Sequence, residues 1–485
     1  MKTKFLLVLS LYFSLNQTHC QNVIVNDNVG AGNVYWTANT VYILNGGVFV
    51  NSGCALHIEP GTVIKGKSGT GENSSYLCVT KGAIIVAEGT PENPIIFTFE
   101  ADPLDGSVSL TTRGQWGGLI VLGEARLNSI PGTSSIEGIP TAEIRGVYGG
   151  DNDNDSSGIL KYISIRHGGT EIGAGNEISG LTLAGVGSQT IVENIEVISN
   201  NDDGIELFGG TVSVKNAIVY GAGDDSFDYD EGWRGQDNTN WVAIASQDAG
   251  DRGGEHDGGI DPETAQPYAT PFIDSAIFIG NGTKRALTFR DNAGGHYRNS
   301  IFYNYEKGVD IEDLPMGQDS YERFLNNDLT FVNNIVDCAS NIFVTTNNSQ
   351  NLTSYFLLNN NSSSNDHGLY WDNGVANLSN RANWAYWCYA VQSGKIILEN
   401  NSLQIKKHDT NVLVFPNPTQ STDIICYFNE YHVGHYTLSN NVGQLISNNY
   451  FSGKELKIDN IKTLGIYYLK LNINNDIVNK IIIKQ

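Results

Sequence analysis

Asn200-Asn201-Asp202-Asp203-Gly204-Ile205-Glu206-Leu207, followed by Ala222-Gly223-Asp224-Asp225-Ser226-Phe227-Asp228-Tyr229, is the passage on which the fold turns. An apolar run precedes each half: Ile195-Glu196-Val197 and Ala217-Ile218-Val219. Val197 to Val219, Asp202 to Asp224 and Glu206 to Asp228 are each 22 residues apart. A recurrence of this length, made of short β-branched runs and polar turns, marks one coil of a solenoid. A single coil cannot bury its own apolar side, so coils must stack and share a core.

The pattern extends outward in both directions. Leu56 to Gly66 reads strand, Pro-Gly turn, strand, and Leu77 to Phe97 repeats the form. Later coils open at Ile277-Phe278-Ile279 and Ile301-Phe302-Tyr303. Helical periodicity is absent after the first twenty residues. Coil lengths vary, which predicts loops protruding from the body over roughly 102–155 and 232–271. The 54 glycines and the 17% charged content suit a turn-rich β protein of 485 residues better than a helical one.

The opening residues predict export. Met1-Lys2-Thr3-Lys4 is basic, 5–15 is apolar but too short to span a bilayer, and Thr18 and Cys20 suit a cut before Gln21. The alternative, lipidation at Cys20, is poorly served by His19. No later run is long and apolar enough for a membrane span. A net charge of −23, from 52 acidic and 29 basic residues, disfavours nucleic acid as a partner and suits cation binding. The six cysteines lack CxxC spacing, which reads as buried small hydrophobes; Cys54 with Cys78, and Cys338 with Cys388, are candidate pairs.

Residues Ile58–Ile64 and Gly82–Thr90, with Gly114-Gln115-Trp116-Gly117-Gly118-Leu119-Ile120, resemble the opening coils of right-handed parallel β-helix proteins of the pectate-lyase-like group. That resemblance implies an all-β solenoid serving lyases, hydrolases or adhesins. The tail differs. Val414-Phe415-Pro416-Asn417-Pro418-Thr419, Gly465-Ile466-Tyr467-Tyr468-Leu469-Lys470-Leu471 and Lys480-Ile481-Ile482-Ile483-Lys484 resemble the type A C-terminal sorting domain of the bacterial type IX secretion system. The resemblance implies a small β-sandwich, transit by that machinery, and release or attachment at the outer surface. The expected organisation is a signal peptide at 1–20, a β-helix body at 21–320, terminal coils, a cap and an Asn/Ser-rich linker at 321–410, and the sorting domain at 411–485. The aromatic clusters Leu369-Tyr370-Trp371 and Trp384-Ala385-Tyr386-Trp387 read as part of a cap closing the solenoid end, or as a sugar-stacking platform.

With the 22-residue register, Asp202 lies over Asp224, Asp203 over Asp225, and Glu206 over Asp228, at a strand spacing of about 4.8 Å. Such crowded carboxylates cannot all ionise uncompensated. One carboxyl keeps a proton and serves as a general acid, or Ca²⁺ neutralises the group, or the acids cap turns and stay solvated. The expected catalytic set is Glu206, Asp224, Asp225, Asp228, His256 and Arg290. Trp116, Trp233 and Arg252 are candidate substrate contacts, and Asp202, Asp203, Asp230 and Glu231 candidate metal ligands. The layout is similar to that of polygalacturonases: Asn201 and Asp203, then Asp224-Asp225, then His256, then Arg290. The family's Gly-His-Gly is here Glu255-His256-Asp257, and its Arg-x-Lys is Arg290-Asp291-Asn292. A lyase would use Ca²⁺ on the acids with Arg290 or Arg252 as base. Asp151-Asn152-Asp153-Asn154-Asp155 resembles part of a Ca²⁺ loop but lacks a well-spaced Glu. The expected partner is a polysaccharide or cell-surface glycan, bound and cleaved, or bound without turnover by an adhesin or structural β-helix.

Overall fold

The computed structural model describes residues 21–172, 178–259, 262–346, 350–398, 413–415, 423–440, 444–459, 461–473 and 476–484. The proposed signal peptide, residues 399–410 at the end of the expected cap and linker, and the Pro416-Asn417-Pro418 motif lie outside them. The chain divides into two compact units, 1–400 and 401–485.

The first unit is a right-handed parallel β-helix in which 26 strands join one hydrogen-bonded network. Three ladders run its length. Face A stacks, among others, Ile159, Ile191 and Ser213. Face B stacks Ser164, Glu196 and Ile218, and continues through Val242, Ile277, Ile301 and Ile335. Face C stacks Leu119, Leu181, Ile205, Phe227 and Gly254. Inward residues of all three faces merge into one core, with Leu207, Phe227, Trp241 and Phe278 buried. Phe227 stacks on Trp241 at 4.4 Å and on Phe278 at 5.4 Å, so aromatic columns run along the axis.

Asparagine makes the corner between faces A and B. Tyr162, Asn194, Asn216, Asn240, Ser275, Asn299 and Asn333 each turn the chain with a single left-handed residue, φ 51–61°. Asparagine tolerates that conformation, and its amide bonds to the coil beneath: Asn240 Nδ2 to Asn216 Oδ1 at 2.8 Å, Asn216 Nδ2 to Asn194 Oδ1 at 3.2 Å. The corner fixes coil register and hence which side chains face outward on the neighbouring faces.

The insertions cover parts of the outer surface. Leu127, Ile136, Ile139 and Tyr148 lie over the outward residues Ile120, Leu122 and Phe208 of face C. The segment after the last coils does not act as an end cap. Leu369, Ala376, Leu378, Trp387 and Ile396 run back along face B and bury its outward row of Ile198, Ile218, Ile244, Ile277 and Ile301. The core's C-terminal end is filled instead by Phe324 and Phe356 from two short helices, Ser320–Leu325 and Thr353–Leu358. Sequence periodicity missed these helices because six residues give too few turns to show a 3.6 repeat; Asp319 nucleates the first by accepting the Glu322 N–H.

The second unit is a five-stranded antiparallel sheet with its own core. Alternate residues Leu469 and Leu471, with Tyr436 and Leu438, are buried, as the period-2 pattern requires. The five cysteines among the described residues are unbonded, so neither candidate disulfide forms; Cys54, Cys78, Cys388 and Cys426 are buried as small hydrophobes. Among the described residues no helix is long and apolar enough to cross a membrane.

Candidate functional site

Face C carries the acids. On the strand Ile205–Phe208, Ile205 and Leu207 point into the core and Glu206 points out; on Phe227–Asp230, Phe227 and Tyr229 point in and Asp228 points out. Parallel register sets Glu206 against Asp228, and Asp228 against Glu255 on the next coil. The turn before these strands adds a second column. The Asp225 N–H donates to Asp203 Oδ1 at 2.9 Å, and the Arg252 N–H donates to Asp225 Oδ1.

The carboxylates form three overlapping groups whose oxygens lie within 4.8 Å of one another: Asp202, Asp203 and Asp224; Asp203, Glu206 and Asp228; and Asp224, Asp225 and Asp251. Cations compensate only one end of this row. Arg252 reaches Asp225 and Asp251 at 3.2 Å and Glu255 at 3.0 Å. Arg290 holds Asp257 through two bonds of 2.9 and 2.8 Å and reaches Glu255 at 2.7 Å. Among the described residues, no guanidinium pairs with the Asp203–Glu206–Asp228 trio. Ser179 donates to Glu206 at 2.9 Å, while Asp228 Oδ1 is buried with no hydrogen-bond donor.

Electrostatics follow from this imbalance. Burial, then the neighbouring charges, push Asp203, Glu206 and Asp228 well above the usual carboxylate range. Asp228 adds to the effect on Asp203, and Glu206 to that on Asp228. Asp225 is also raised, first by burial and then by Glu255, with Arg252 opposing. Asp224 is raised by burial and by Asp251. Such crowding disfavours the fully ionised trio and favours a proton or a cation among its oxygens. Clustered carboxylate oxygens with an undonated buried oxygen are the donor set a hard divalent cation takes.

Several expected residues lie elsewhere. His256 alternates inward on the strand Arg252–Asp257 and is fully buried. Its ring stacks on Tyr229 at 4.0 Å and its Nε2 meets the Tyr297 hydroxyl at 2.7 Å. The absent side chain of Gly254 makes the room, since a Cβ there would come within 2.6 Å of the imidazole. Burial lowers His256 to about 3, so it stays neutral and cannot meet a substrate on the outer flank. Trp116 and Trp233 are also fully buried, their indole N–H groups donating to the Arg166 and Val212 carbonyls, and neither can stack on a sugar. Arg252 and Arg290 do face outward, but both are engaged by the acids. Glu231 is buried and accepts from Tyr148 and Ser129, and burial raises Asp230 to about 7; neither joins the three carboxylate groups. The Asp153 of the Asp-Asn repeat is held by Arg126 and Arg234, which leaves no cation vacancy there. Trp387 is buried against Tyr162 in the face-B segment, whereas Tyr370 and Tyr386 are exposed.

Sequence reading missed Glu255, Asp257 and Ser179. The coil from Asp228 to Glu255 is 27 residues long, so the 22-residue register gives out there. Alternation within Arg252–Asp257 was the available signal: two glycines and His256 inward, Glu255 and Asp257 outward. A concavity of about 500 Å³ lies between faces C and A and includes none of these acids. The acid row lies outside it, with Asp203 buried and Glu206 and Asp228 half-buried on the outward side of face C.

No curated protein matches the sequence. The family model for the pectate-lyase-like β-helix domain matches residues 28–386, the span over which the three ladders run. The chain belongs to the pectate-lyase-like β-helix family.

Proposed function

We propose that this is an extracellular polysaccharide-active β-helix protein that binds a glycan chain along face C and cleaves it at the Asp203–Glu206–Asp228 trio. Family membership points to a polysaccharide-related role. The observation that carries the rest is the trio itself: three carboxylates whose oxygens lie within 4.8 Å, with no guanidinium paired to them among the described residues, and each raised well above the usual carboxylate range by burial and by its neighbours' charge. A glycosidic bond needs a protonated carboxyl to deliver a proton to the leaving oxygen and an ionised one to meet the developing positive charge at the anomeric carbon. Glu206 and Asp228 supply such a pair, with Ser179 orienting Glu206. The short carboxyl separation favours attack by a carboxylate over the wider gap that an intervening water requires.

The same trio favours a second reading. Its donor set suits Ca²⁺, with Asp203, Glu206 and Asp228 as ligands; the ion would neutralise the row and bind an acidic sugar without turnover. The resemblance of the tail to the type A sorting domain supports export through the type IX system and release or attachment outside the cell. The test is incubation of the folded protein with a panel of plant and algal polysaccharides. New reducing ends that vanish in Asp228→Asn support hydrolysis, an ultraviolet-absorbing unsaturated product identifies a lyase, and calcium-dependent retention without product supports the second reading.

A further inference from the structure

We propose a second carbohydrate site in the recess beside face A, formed by residues 153–154, 188–193, 211–215 and 234–237, and that it takes a neutral oligosaccharide. It shares with the proposed function only the premise that the partner is a glycan. The recess has about 500 Å³ of free space, within the range of small-ligand sites. Its walls are stacked turns of successive coils over buried Val192 and Thr190, so it is preformed.

Its chemistry selects against charge. Every cation at the recess is already paired. Arg234 donates to Asp153 at 2.6 Å and to the Gly232 and Arg126 carbonyls. Lys215 is bonded to Asp237, and Lys161 stands 3.6 Å from Glu193. A uronate or sulfate group would have to break an ion pair to gain one, and would meet Glu193 and Asp237. Hydroxyl groups fit better. The Ser213 oxygen accepts the Asp237 N–H, which leaves its hydroxyl proton to donate. Gln236 commits its amide N–H groups to the Arg234 and Thr270 carbonyls, leaving Oε1 to accept. Glu193 and Asp237 suit pairs of vicinal hydroxyls. Ile191, 38% exposed, offers an apolar patch for the C–H face of a pyranose ring.

The test is calorimetric titration of the full chain, in an Asp228→Asn background that prevents turnover, with tetrasaccharides of glucose, xylose, mannose and galacturonate. Saturable binding of at least one neutral sugar is expected, with the galacturonate weaker. Ile191→Asp and Gln236→Ala, both at exposed positions, should weaken binding of that sugar by about tenfold and severalfold respectively, with unchanged melting. The same two substitutions in the otherwise unaltered protein should leave turnover of short soluble substrates intact. Preference for galacturonate, absence of binding by all three neutral sugars, or full affinity in both variants would overturn the proposal. If Asp228→Asn leaves turnover untouched while Ile191→Asp abolishes binding, the face-C reading fails and this one stands.

Discussion

Glu206 and Asp228 occupy equivalent positions on consecutive coils, paired in parallel register with both side chains outward, and with Asp203 their carboxylate oxygens lie within 4.8 Å. The repulsion between them is held in place by the solenoid: Ile205, Leu207, Phe227 and Tyr229 are fixed in the core on either side and the acids cannot swing apart. Replacing one acid by its amide removes the charge at constant shape. Asp228→Asn and Glu206→Gln should each lower kcat by about 10²–10⁴ if this pair performs acid catalysis. Both should fold, and at pH 8 be more stable than the parent by on the order of 1 kcal/mol, because a charge conflict is relieved. Turnover within twofold of the parent in both variants would remove the pair from the chemistry; a rate assay beside a urea melt reads both effects.

The same groups set the dependence of stability on pH. Asp230 titrates near 7 and Asp291 near 6 in the folded chain, both raised chiefly by burial, while the unfolded carboxyls titrate near 4. Glu206 and Asp228 shift in the same direction. A carboxyl whose folded pKa is raised contributes stability that is complete below its unfolded pKa and is lost as pH rises through the folded one. Above the imidazole range, melting temperature should therefore fall from about pH 7 to pH 8 in chelator. Two kinds of group oppose this: His256, lowered to about 3 by burial, with His167 and His296 lowered the same way, whose stability is lost as pH falls below the unfolded imidazole range near 6.5, and Asp153, held near 2 by Arg126 and Arg234 despite partial burial, whose contribution is lost only in acid. A melting temperature that climbs steadily from pH 7 to pH 8 in chelator would contradict the assignment.

Calcium should replace the protons. At pH 8, millimolar Ca²⁺ should raise the melting temperature, approaching about 2.7 kcal/mol at a hundredfold excess over Kd. Mg²⁺ should do less, because it demands a tighter octahedral shell. Asp203→Asn and Glu206→Gln should blunt the response. An identical calcium shift in those variants would place the ion elsewhere.

How far the sequence reached depends on what each residue's neighbours specify. The 22-residue spacing in 195–229 was enough to establish stacked coils and the Glu206–Asp228 register, because those coils carry no insertion. His256 was misplaced because a long loop precedes it and erases the period, leaving only local alternation, in which Gly254 hides the inward step. Trp116 and Trp233 carry no periodic signal, and a tryptophan in a turn reads equally as a platform or as a core plug. The segment after 365 was expected at the solenoid end, yet it covers face B. The signal was in the outward positions of that face, Ile198, Ile218, Val242, Ile244 and Ile277, which are too apolar to remain in water.

His256 gives a further test. Its neutral imidazole, lowered to about 3 by burial, bonds to the Tyr297 hydroxyl inside the core. His256→Phe should retain turnover per folded molecule, yet lose stability by about 1–3 kcal/mol because the buried Tyr297 hydroxyl loses its partner. Adding Tyr297→Phe should recover part of that loss, since both polar groups are then gone. A pH–rate profile unchanged by His256→Phe would confirm that the ring takes no part in proton transfer.

The segment on face B should behave as a separable layer. It is anchored where Trp387 packs edge-on against Tyr162 at 5.5 Å, where Arg166 lies over the Tyr389 ring, and where the Ala390 N–H donates to the buried Glu196 carboxylate at 2.9 Å. In a solenoid, stability is nearly a sum of nearest-neighbour terms, so weakening this layer should not unravel the coils beneath. Trp387→Ala should cost about 3–5 kcal/mol of local docking stability. Limited proteolysis should then cut within 366–398 while the coils before it stay intact, and the uncovered isoleucines should bind a hydrophobic dye. Glu196→Leu should act in the same direction, since it leaves the Ala390 N–H and the Ser164 hydroxyl without their shared acceptor. Digestion that instead begins among the coils, with the 366–398 segment still protected, would mean that this layer and the solenoid fold as one cooperative unit.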